Sequence, residues 1–262
     1  MSGRTPDRRA DPPAGSGAEE VQEPATDPRG QLPARAVMAA VGGLLVGNVA
    51  AVIGYAIGDL ATPTELLVPL ILSELALWAG MLGACRWASA RLGSGSFRTD
   101  FGWRPRRFDA GWGLLLALVD WIAAGVVAQL VGLLGKGYAG SNATIVTDVR
   151  HDVPALVATI AFAVVGAPIV EELFFRGLLQ RSLESWAGVP VAIVLQGLIF
   201  GAVHIVEITG KGQLGLWLSL SAVGIVHGVA YQRFKRITVS IWAHAIFNLG
   251  GVVLIFAAMA GS

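Results

Sequence analysis

The stretch from Gly166 to Gln180, GAPIVEELFFRGLLQ, places two adjacent carboxylates and an arginine against an apolar run. The 18 residues before the two carboxylates, Val153 to Val170, contain no charge. An ionisable side chain at the centre of a membrane costs about 2.5–3.5 kcal/mol, so such residues persist where they pair or take part in chemistry. Glu172 and Arg176 are four residues apart and suit an ion pair on one helix face. Glu171 points about 100° away from Glu172 around the helix, so this ion pair does not explain why a second carboxylate is present.

Polar side chains recur in two later apolar segments. His204 lies in IFGAVHIVE, and His244 and Asn248 lie in IWAHAIFNLGG, where the four-residue spacing puts them on one helix face. These groups are expected to face the interior of a helical bundle rather than lipid. A carboxylate such as Glu171 together with two imidazoles can activate a water molecule, or hold a divalent metal that does so.

Three other membrane residues are interpreted as structural. His227, in GIVHGVAY, has no charged partner within one helical turn, so it is read as a packing residue whose replacement by phenylalanine leaves activity near normal. Glu74 and Asp120 are isolated acids, expected to bond neighbouring helices. Asn142 begins an Asn-Ala-Thr glycosylation motif, a pattern too short to be informative alone.

The composition of the chain fits a lipid environment. Of 262 residues, 54% are hydrophobic and 14% are charged, whereas a soluble domain carries about a quarter charged residues. The net charge of +1 argues against a nucleic-acid partner, which would need a basic face. With one cysteine, Cys85, a disulfide framework or thiolate metal cluster is excluded. Residues 1–33 are rich in Pro, Gly and charge and are predicted to form a disordered cytoplasmic tail.

Residues 34–262 are predicted to be an all-α, polytopic transmembrane helical bundle of about seven spans in the cell membrane, since about 20 apolar residues cross the hydrocarbon core. The Lys and Arg residues divide 16 to 3 between alternating sides, which places the N-terminus in the cytoplasm. The predicted spans are Ala36–Gly58, Leu66–Cys85, Gly113–Gly135, Val153–Leu179, Val189–Val206, Leu214–Tyr231 and Ile237–Ala260.

Depths counted from the predicted span ends do not agree for two of the chemical residues. At about 1.5 Å per residue, Glu171 lies about 15 Å from Arg181, whereas His204 lies about 22 Å from Val189. The sequence does not decide whether the helix of His204 starts later, tilts strongly, or follows a segment that lies along the membrane interface.

The segments EELFFR, FGAVH and HAIFN resemble, in order and spacing, the E-E-x-x-x-R, F-x-x-x-H and H-x-x-x-N motifs of the CPBP family. This family contains the CAAX proteases and bacteriocin-processing intramembrane proteases and is also called the Abi family. The resemblance covers residues 150–252, which form the predicted catalytic core. It implies a helical membrane bundle with a conical cavity that opens toward the cytoplasm.

The resemblance implies an intramembrane endopeptidase that cleaves peptide or protein substrates in the lipid bilayer. Glu171 would be the general base that activates water, and His204 would stabilise the oxyanion or contact the water. His244 and Asn248 would complete the catalytic site. The remaining motif positions, which would support its geometry, are Glu172, Arg176 and Phe200.

The cofactor is unknown from the sequence. The family has been described as metalloproteases, so zinc is a candidate, with Glu171, His204 and His244 as its ligands. The same three side chains could also work without metal.

Two other classes of function stay open. The bundle could be a non-catalytic membrane scaffold or bacteriocin-immunity protein, in which the polar cluster only joins helices. A transporter or proton pathway would be expected to show repeated halves, and no internal repeat is found in the sequence. The identity of the substrate, whether it is prenylated, and the oligomeric state do not follow from the sequence.

Overall fold

The computed structural model describes residues 27, 29, 32–134, 146–147, 149–205 and 212–260. Within these residues the regular structure is helical and no strand occurs. The predicted glycosylation motif at Asn142 lies outside them. The helices are α1 (Ala36–Ala61), α2 (Leu67–Leu92), a short α3 (Phe97–Asp100), α4 (Asp109–Leu133), α5 (Val153–Ala187), α6 (Val189–Val203), α7 (Gln213–Phe234) and α8 (Thr238–Ala260).

Six of the described helices, all except α3 and α6, are long and apolar enough to cross a membrane. The α6 helix is also apolar but has only 15 residues. The predicted all-α bundle of about seven spans is therefore confirmed, and the chain is a multi-pass membrane protein. Several boundaries differ from the prediction, and two of them bear on the site: α5 continues past Leu179 to Ala187, and α6 ends at Val203 rather than at residue 206.

The first two helices form a hairpin whose backbones approach closely through small residues. A Cβ atom added to Gly43 would lie 2.3 Å from the Cβ of Ala84. One added to Gly80 would lie 2.5 Å from the Cα of Gly47. Larger side chains at these positions would force the helices apart, so the small residues serve close helix packing.

A single residue, Gly188, joins α5 to α6 and corrects the depth count made from the sequence. Its φ of 80° is a left-handed conformation that favours glycine, and it reverses the chain direction. Glu171 lies 17 residues before Gly188 and His204 lies 16 residues after it. At about 1.5 Å per residue the two are nearly level, at about 24–26 Å from the turn. The earlier mismatch arose because α5 was taken to end too soon.

The α5 helix is the centre of the bundle, and every residue from Glu172 to Gln180 is buried. Its first turn is capped by Asp152, whose carboxylate accepts from the backbone N–H of Ala155 at 3.0 Å. Two stretches of α5, Phe162–Gly166 and Glu172–Gln180, are π-helical, with backbone bonds between residues five apart. These wider turns flank Glu171, and single π-helical turns of this kind are frequent at functional sites.

Helix ends that are predicted to be cytoplasmic lie together. At the start of α4, the Asp109 carboxylate accepts from Arg236 Nε at 2.8 Å and from the hydroxyl of Thr238 at the start of α8. At the C-terminal end of α5, Glu184 lies near Arg29 of the tail, with 3.8 Å between their charged atoms. This grouping agrees with the alternation of sides that the basic residues predict.

Two residues of the predicted tail, Arg29 and Leu32, are buried against the bundle, and the disorder of the tail as a whole stays a prediction. Arg29 is 3% exposed and Leu32 is 1% exposed. The guanidinium of Arg29 lies 4.6 Å from the ring centroid of Tyr231 and donates to Gln232 at 2.8 Å. Composition describes only what a segment can bury by itself, whereas here the bundle supplies the partners. Residues 1–26 of the predicted tail lie outside the described residues.

Arg29 also binds a carboxylate of the tail itself. Its Nη2 lies 2.6 Å from Oδ2 of Asp27. Partial burial acts to raise the pKa of the Asp27 carboxyl, but the hydrogen bonds from Arg29 outweigh it and hold that pKa below its usual range. A second cation, Lys235 at the end of α7, lies 3.1 Å from the same carboxylate. We call Asp27, Arg29 and their partners on α5 and α7 the N-terminal clasp.

Candidate active site

The two adjacent carboxylates of α5 have different surroundings, and His244 of α8 lies between them. Glu172 is completely buried, whereas the side chain of Glu171 keeps 17% of its surface exposed. The Nδ1 atom of His244 is 3.1 Å from Oε1 of Glu172. Its Nε2 atom is 3.9 Å from Oε2 of Glu171. One imidazole therefore connects the buried acid with the accessible one.

Glu171 faces two imidazoles at similar distances. Its Oε2 atom lies 3.8 Å from Nε2 of His204 and 3.9 Å from Nε2 of His244. These distances are too long for direct hydrogen bonds, but two hydrogen bonds of about 2.8 Å that meet near a right angle at one oxygen span them. Oε2 is shielded from solvent and has no hydrogen-bond partner among the described residues. The spacing suits a water molecule held between the carboxylate and either ring.

Both of these histidines use Nδ1 for a hydrogen bond that fixes their tautomer. His204 Nδ1 lies 2.6 Å from the carbonyl oxygen of Phe200, which can only accept. His244 Nδ1 faces the carboxylate of Glu172, which accepts when ionised. The proton therefore resides on Nδ1 in each ring, and the neutral form of each presents the Nε2 lone pair toward Glu171.

Glu172 is the centre of a buried network that joins four helices. Its Oε1 atom lies 2.9 Å from Nη1 of Arg176, 3.0 Å from Nδ1 of His227 and 3.1 Å from Nδ1 of His244. On its other side, His227 Nε2 lies 2.8 Å from Oδ2 of Asp120. Asp120, Glu172, His227 and His244 belong to α4, α5, α7 and α8 in turn. We call these four side chains and Arg176 the buried network.

His227 and Asp120 were not among the predicted site residues. They are 107 positions apart in the chain, and His227 is 55 positions from Glu172. A search for partners within one helical turn cannot find such pairs. The sequence nevertheless held one signal that could have found them. Asp120 is an isolated acid and His227 an isolated imidazole in different apolar segments, so each needs a partner. Each can be the partner of the other.

The supporting motif positions lie in the same place. The Arg176 guanidinium is fully buried, lies 4.5 Å from the ring centroid of Phe200 and donates to the carbonyl of Gly224 at 3.4 Å. Phe200 also stacks edge-on against Phe175 and supplies the carbonyl that binds His204. The first two motifs are thereby held to each other by an aromatic ring and a cation.

Asn248 lies one turn beyond His244 on α8 and bonds the backbone of α5. Its Nδ2 atom donates to the carbonyl oxygen of Ala163 at 2.7 Å.

The best-defined grooves on the described residues lie along α1 and α2, and the larger has a volume of about 500 Å³. No residue of the candidate site lines either groove. The conical cavity that the resemblance implies therefore stays a prediction.

Among the described residues, two groups have the composition of a metal site, and the first is poorly suited to a cation. The ligand atoms of Glu172, His227 and His244 all lie within 4.8 Å of one another. However, these atoms already bond one another through N–H groups, and the Arg176 guanidinium lies 2.9 Å from the shared oxygen. A bound cation would have to displace those protons beside a positive charge.

The second group is the one predicted from the sequence, Glu171, His204 and His244. It presents a carboxylate oxygen and two Nε2 lone pairs, a donor set that zinc accepts. Tetrahedral zinc ligands at about 2.0–2.1 Å lie about 3.4 Å from one another, whereas here the Nε2 atoms are 3.8 and 3.9 Å from the carboxylate oxygen. The chemistry fits zinc, and the side chains would have to close by several tenths of an ångström to bind it.

The fold and the site define a polytopic helical membrane protein with a buried carboxylate–imidazole centre. Residues 153–250 match the family model described as type II CAAX prenyl endopeptidase Rce1-like. That range contains Glu171, His204, His244 and Asn248. The resemblance to the CPBP family, drawn from the motifs, is confirmed over these helices.

One curated relative supports the same assignment. The chain is 31% identical over 142 residues to "Putative membrane peptidase YdiL" of Bacillus subtilis (strain 168), an alignment that covers 54% of this chain and 53% of that protein. The chain therefore spans about half the length of the curated relative it matches. No solved structure gives a significant match.

Proposed function

We propose that this protein is an intramembrane peptidase that hydrolyses peptide bonds of membrane-associated substrates. The family match and the membrane-peptidase relative support the class of enzyme. One observation carries the residue assignment: Oε2 of Glu171, shielded from solvent, faces Nε2 of His204 and of His244 at 3.8 and 3.9 Å. This is the arrangement needed to hold and deprotonate a water molecule.

In the proposed reaction, Glu171 is the general base. A water molecule bonded to its carboxylate, and oriented by the Nε2 lone pair of His204 or His244, attacks the scissile carbonyl carbon. The O–H bond breaks as the O–C bond forms, and the proton goes to Glu171. Glu171 then returns this proton to the amide nitrogen as the C–N bond breaks, which yields a carboxylic acid and an amine. Atoms and charge balance without any further reactant.

The oxyanion of the tetrahedral intermediate needs an N–H donor, and the hydrogen bonds restrict which residue supplies it. Because Nδ1 of His204 is committed to the Phe200 carbonyl, Nε2 carries a proton only in the imidazolium form. Asn248 uses one amide N–H for Ala163 and keeps a second. We assign Asn248 as the neutral oxyanion donor, a contribution of about 3–4 kcal/mol in other hydrolases.

Zinc remains a candidate for the three residues that surround the water position. Glu171, His204 and His244 would hold it. When bound, zinc would polarise the scissile carbonyl or make the bound water more acidic.

A non-catalytic scaffold is the second candidate, favoured by the buried network. Asp120, Glu172, His227 and His244 each belong to a different helix, and such a network could exist only to fix the bundle. It does not account for Glu171, whose Oε2 atom has no hydrogen-bond partner among the described residues. A scaffold would therefore tolerate the change Glu171→Gln in every assay, and a peptidase would not.

The proposal is tested by comparing new peptide termini in membranes that contain the wild-type protein or Glu171→Gln. The matched control is Glu65→Gln, the same change at an exposed carboxylate between α1 and α2. We expect a set of membrane-protein termini that appear with the wild type and the control and are missing with Glu171→Gln. A cleaved sequence then becomes a fluorogenic substrate for kinetics, and prenylated C-terminal peptides are included in the first panel. Identical termini in all three membranes would contradict the proposal.

A further inference from the structure

We infer that Asp120 and His227, which lie outside the three motifs, are positioning residues that hold Glu172 and His244 in their reactive arrangement. This inference rests on the proposed function. It assigns no contact with substrate to either residue. It also replaces the expectation from sequence that His227 is a packing residue whose loss is harmless.

His227 is enclosed between two carboxylates. Its side chain and those of Asp120 and Glu172 are fully buried. Its Nε2 atom lies 2.8 Å from Asp120 Oδ2, and its Nδ1 atom lies 3.0 Å from Glu172 Oε1. Bonds at both nitrogens fix the ring plane, because rotation about either side-chain torsion would break at least one of them.

His227 in turn restrains the carboxylate of Glu172. Oε1 of Glu172 lies within 3.1 Å of Arg176, His227 and His244. Arg176 approaches from the same helix, and its own link to α7 is a long bond of 3.4 Å to the carbonyl of Gly224. The shorter bond from His227 Nδ1–H restrains Glu172 directly from α7. It places the oxygen where the Nδ1–H of His244 reaches it.

Glu172 in turn orients the imidazole of His244. A proton held on Nδ1 by Glu172 leaves Nε2 of His244 as a lone pair directed at the water position beside Glu171. A carboxylate that orients an imidazole in this way recurs in hydrolases, where losing it produces the wrong tautomer. The order of contacts is therefore Asp120, His227, Glu172, His244 and then Glu171.

Two isosteric replacements of His227 separate positioning from simple structural support. The amide nitrogen of asparagine lies close to where Nδ1 was, and that of glutamine close to where Nε2 was. His227→Asn therefore keeps the donor to Glu172 and gives up the bond to Asp120, and His227→Gln does the reverse. We expect His227→Asn to retain kcat within about threefold and His227→Gln to lose about 10- to 100-fold in kcat, with KM little changed in both.

A purely structural role predicts a different pattern. Both replacements would then lower yield and melting temperature, and the folded fraction of each would turn over at the wild-type kcat. Melting temperature and kcat per folded molecule are therefore measured on both variants in the same detergent. Equal kcat values for His227→Gln and His227→Asn would overturn the inference.

A readout independent of turnover is the tautomer of His244. The chain contains four histidines, so ring nitrogen-15 spectra of histidine-labelled protein in detergent are readily assigned by single replacements. We expect His244 to carry its proton on Nδ1 in the wild type and in His227→Asn. In His227→Gln we expect a mixture of tautomers. An unchanged Nδ1–H signal in His227→Gln would contradict the positioning role whatever the activity.

Asp120 is tested through its dependence on His227. If it acts through the ring, Asp120→Asn lowers kcat by no more than the roughly threefold allowed for His227→Asn, which loses the same bond, and has no further effect when His227 is already alanine. This pair also keeps the test informative if His227→Gln does not accumulate. An equal loss in both backgrounds would show that Asp120 acts by another route.

The failure of this inference differs from the failure of the proposed function. If Glu171→Gln cleaves as fast as the wild type, the proposed function falls. If Glu171→Gln is inactive while His227→Gln keeps the wild-type kcat and tautomer, only the positioning role of His227 falls.

Discussion

The side-chain amide of Asn248 donates to the carbonyl oxygen of Ala163 at 2.7 Å, and a proline explains why that carbonyl accepts it. In the π-helical turn Phe162–Gly166, the N–H of Ala167 bonds the carbonyl of Phe162, five residues back. The next such bond would join residue 168 to Ala163, but residue 168 is proline and has no N–H. The sequence predicts a released carbonyl, and α8 supplies its partner.

This relationship makes Asn248→Ala a test of how α8 is tied to α5. Loss of the amide leaves a partly buried carbonyl without its donor, so we expect a free energy of unfolding lower by about 1–3 kcal/mol and a lower kcat. Asn48→Ala is the matched control, because Asn48 makes the same kind of bond to Leu44 on an exposed helix face. The control should change melting temperature little. An Asn248→Ala protein as stable as this control would show that the bond contributes nothing.

Glu172→Gln should damage stability and activity together. The fully buried Arg176 would lose its carboxylate partner at 2.9 Å, and breaking a buried ion pair costs about 3–5 kcal/mol. Glu171→Gln leaves that pair intact and should melt near the wild-type temperature while turnover is lost. Both are compared with Glu65→Gln by thermal denaturation in one detergent. Wild-type stability of Glu172→Gln would mean that another group neutralises Arg176.

Removal of metal should leave the activity intact. The distances of 3.8 and 3.9 Å around Glu171 suit a bridging water better than tetrahedral zinc. We therefore expect purified protein dialysed against a chelator to keep its turnover and to contain far less than one equivalent of zinc by elemental analysis. Loss of turnover that zinc restores would show that Glu171, His204 and His244 close around an ion.

The orientation of the bundle can be tested with single cysteines. The native Cys85 is buried, so background labelling in folded protein should be low. Cysteine placed at Arg150, an exposed position on the side predicted to be external, should react with a membrane-impermeant maleimide in intact cells. Cysteine placed at the exposed Arg107 should react only after the cells are opened. Labelling of Arg107→Cys in intact cells would show that the predicted orientation is wrong.

Arg29→Ala tests whether the N-terminal clasp stabilises the bundle. The change removes an ion pair with Asp27 at 2.6 Å, a bond to Gln232 at 2.8 Å and a contact with the Tyr231 ring. Because Asp27 is partly exposed, we expect a modest loss of about 1–2 kcal/mol in the free energy of unfolding. Arg107→Ala, at an exposed cation, is the control for thermal denaturation. Equal melting temperatures of the two variants would show that the clasp contributes nothing to stability.

The sequence alone determined the class of fold and the region of interest. Charge-free apolar runs of about 20 residues have one stable form in lipid, because a helix satisfies every backbone group internally. Ionisable residues in such runs are costly enough to mark Glu171, His204 and His244 without any structure. The spacing of four residues predicted that Glu172 would face Arg176, and the structure shows this pair at 2.9 Å.

Only the tertiary structure decided which partners the helices bring to each other. Local spacing describes one helix, whereas His227 reaches Asp120 and Glu172 across three helices. Depth also depends on where helices end, and Gly188 sets the ends of α5 and α6 through a backbone conformation that composition does not encode. Burial of Arg29 has the same origin, because Gln232 and Glu184, which lie against it, are more than 150 positions away in the chain. Partner choice, depth and burial arise from packing between helices, and packing is not a property of any one segment.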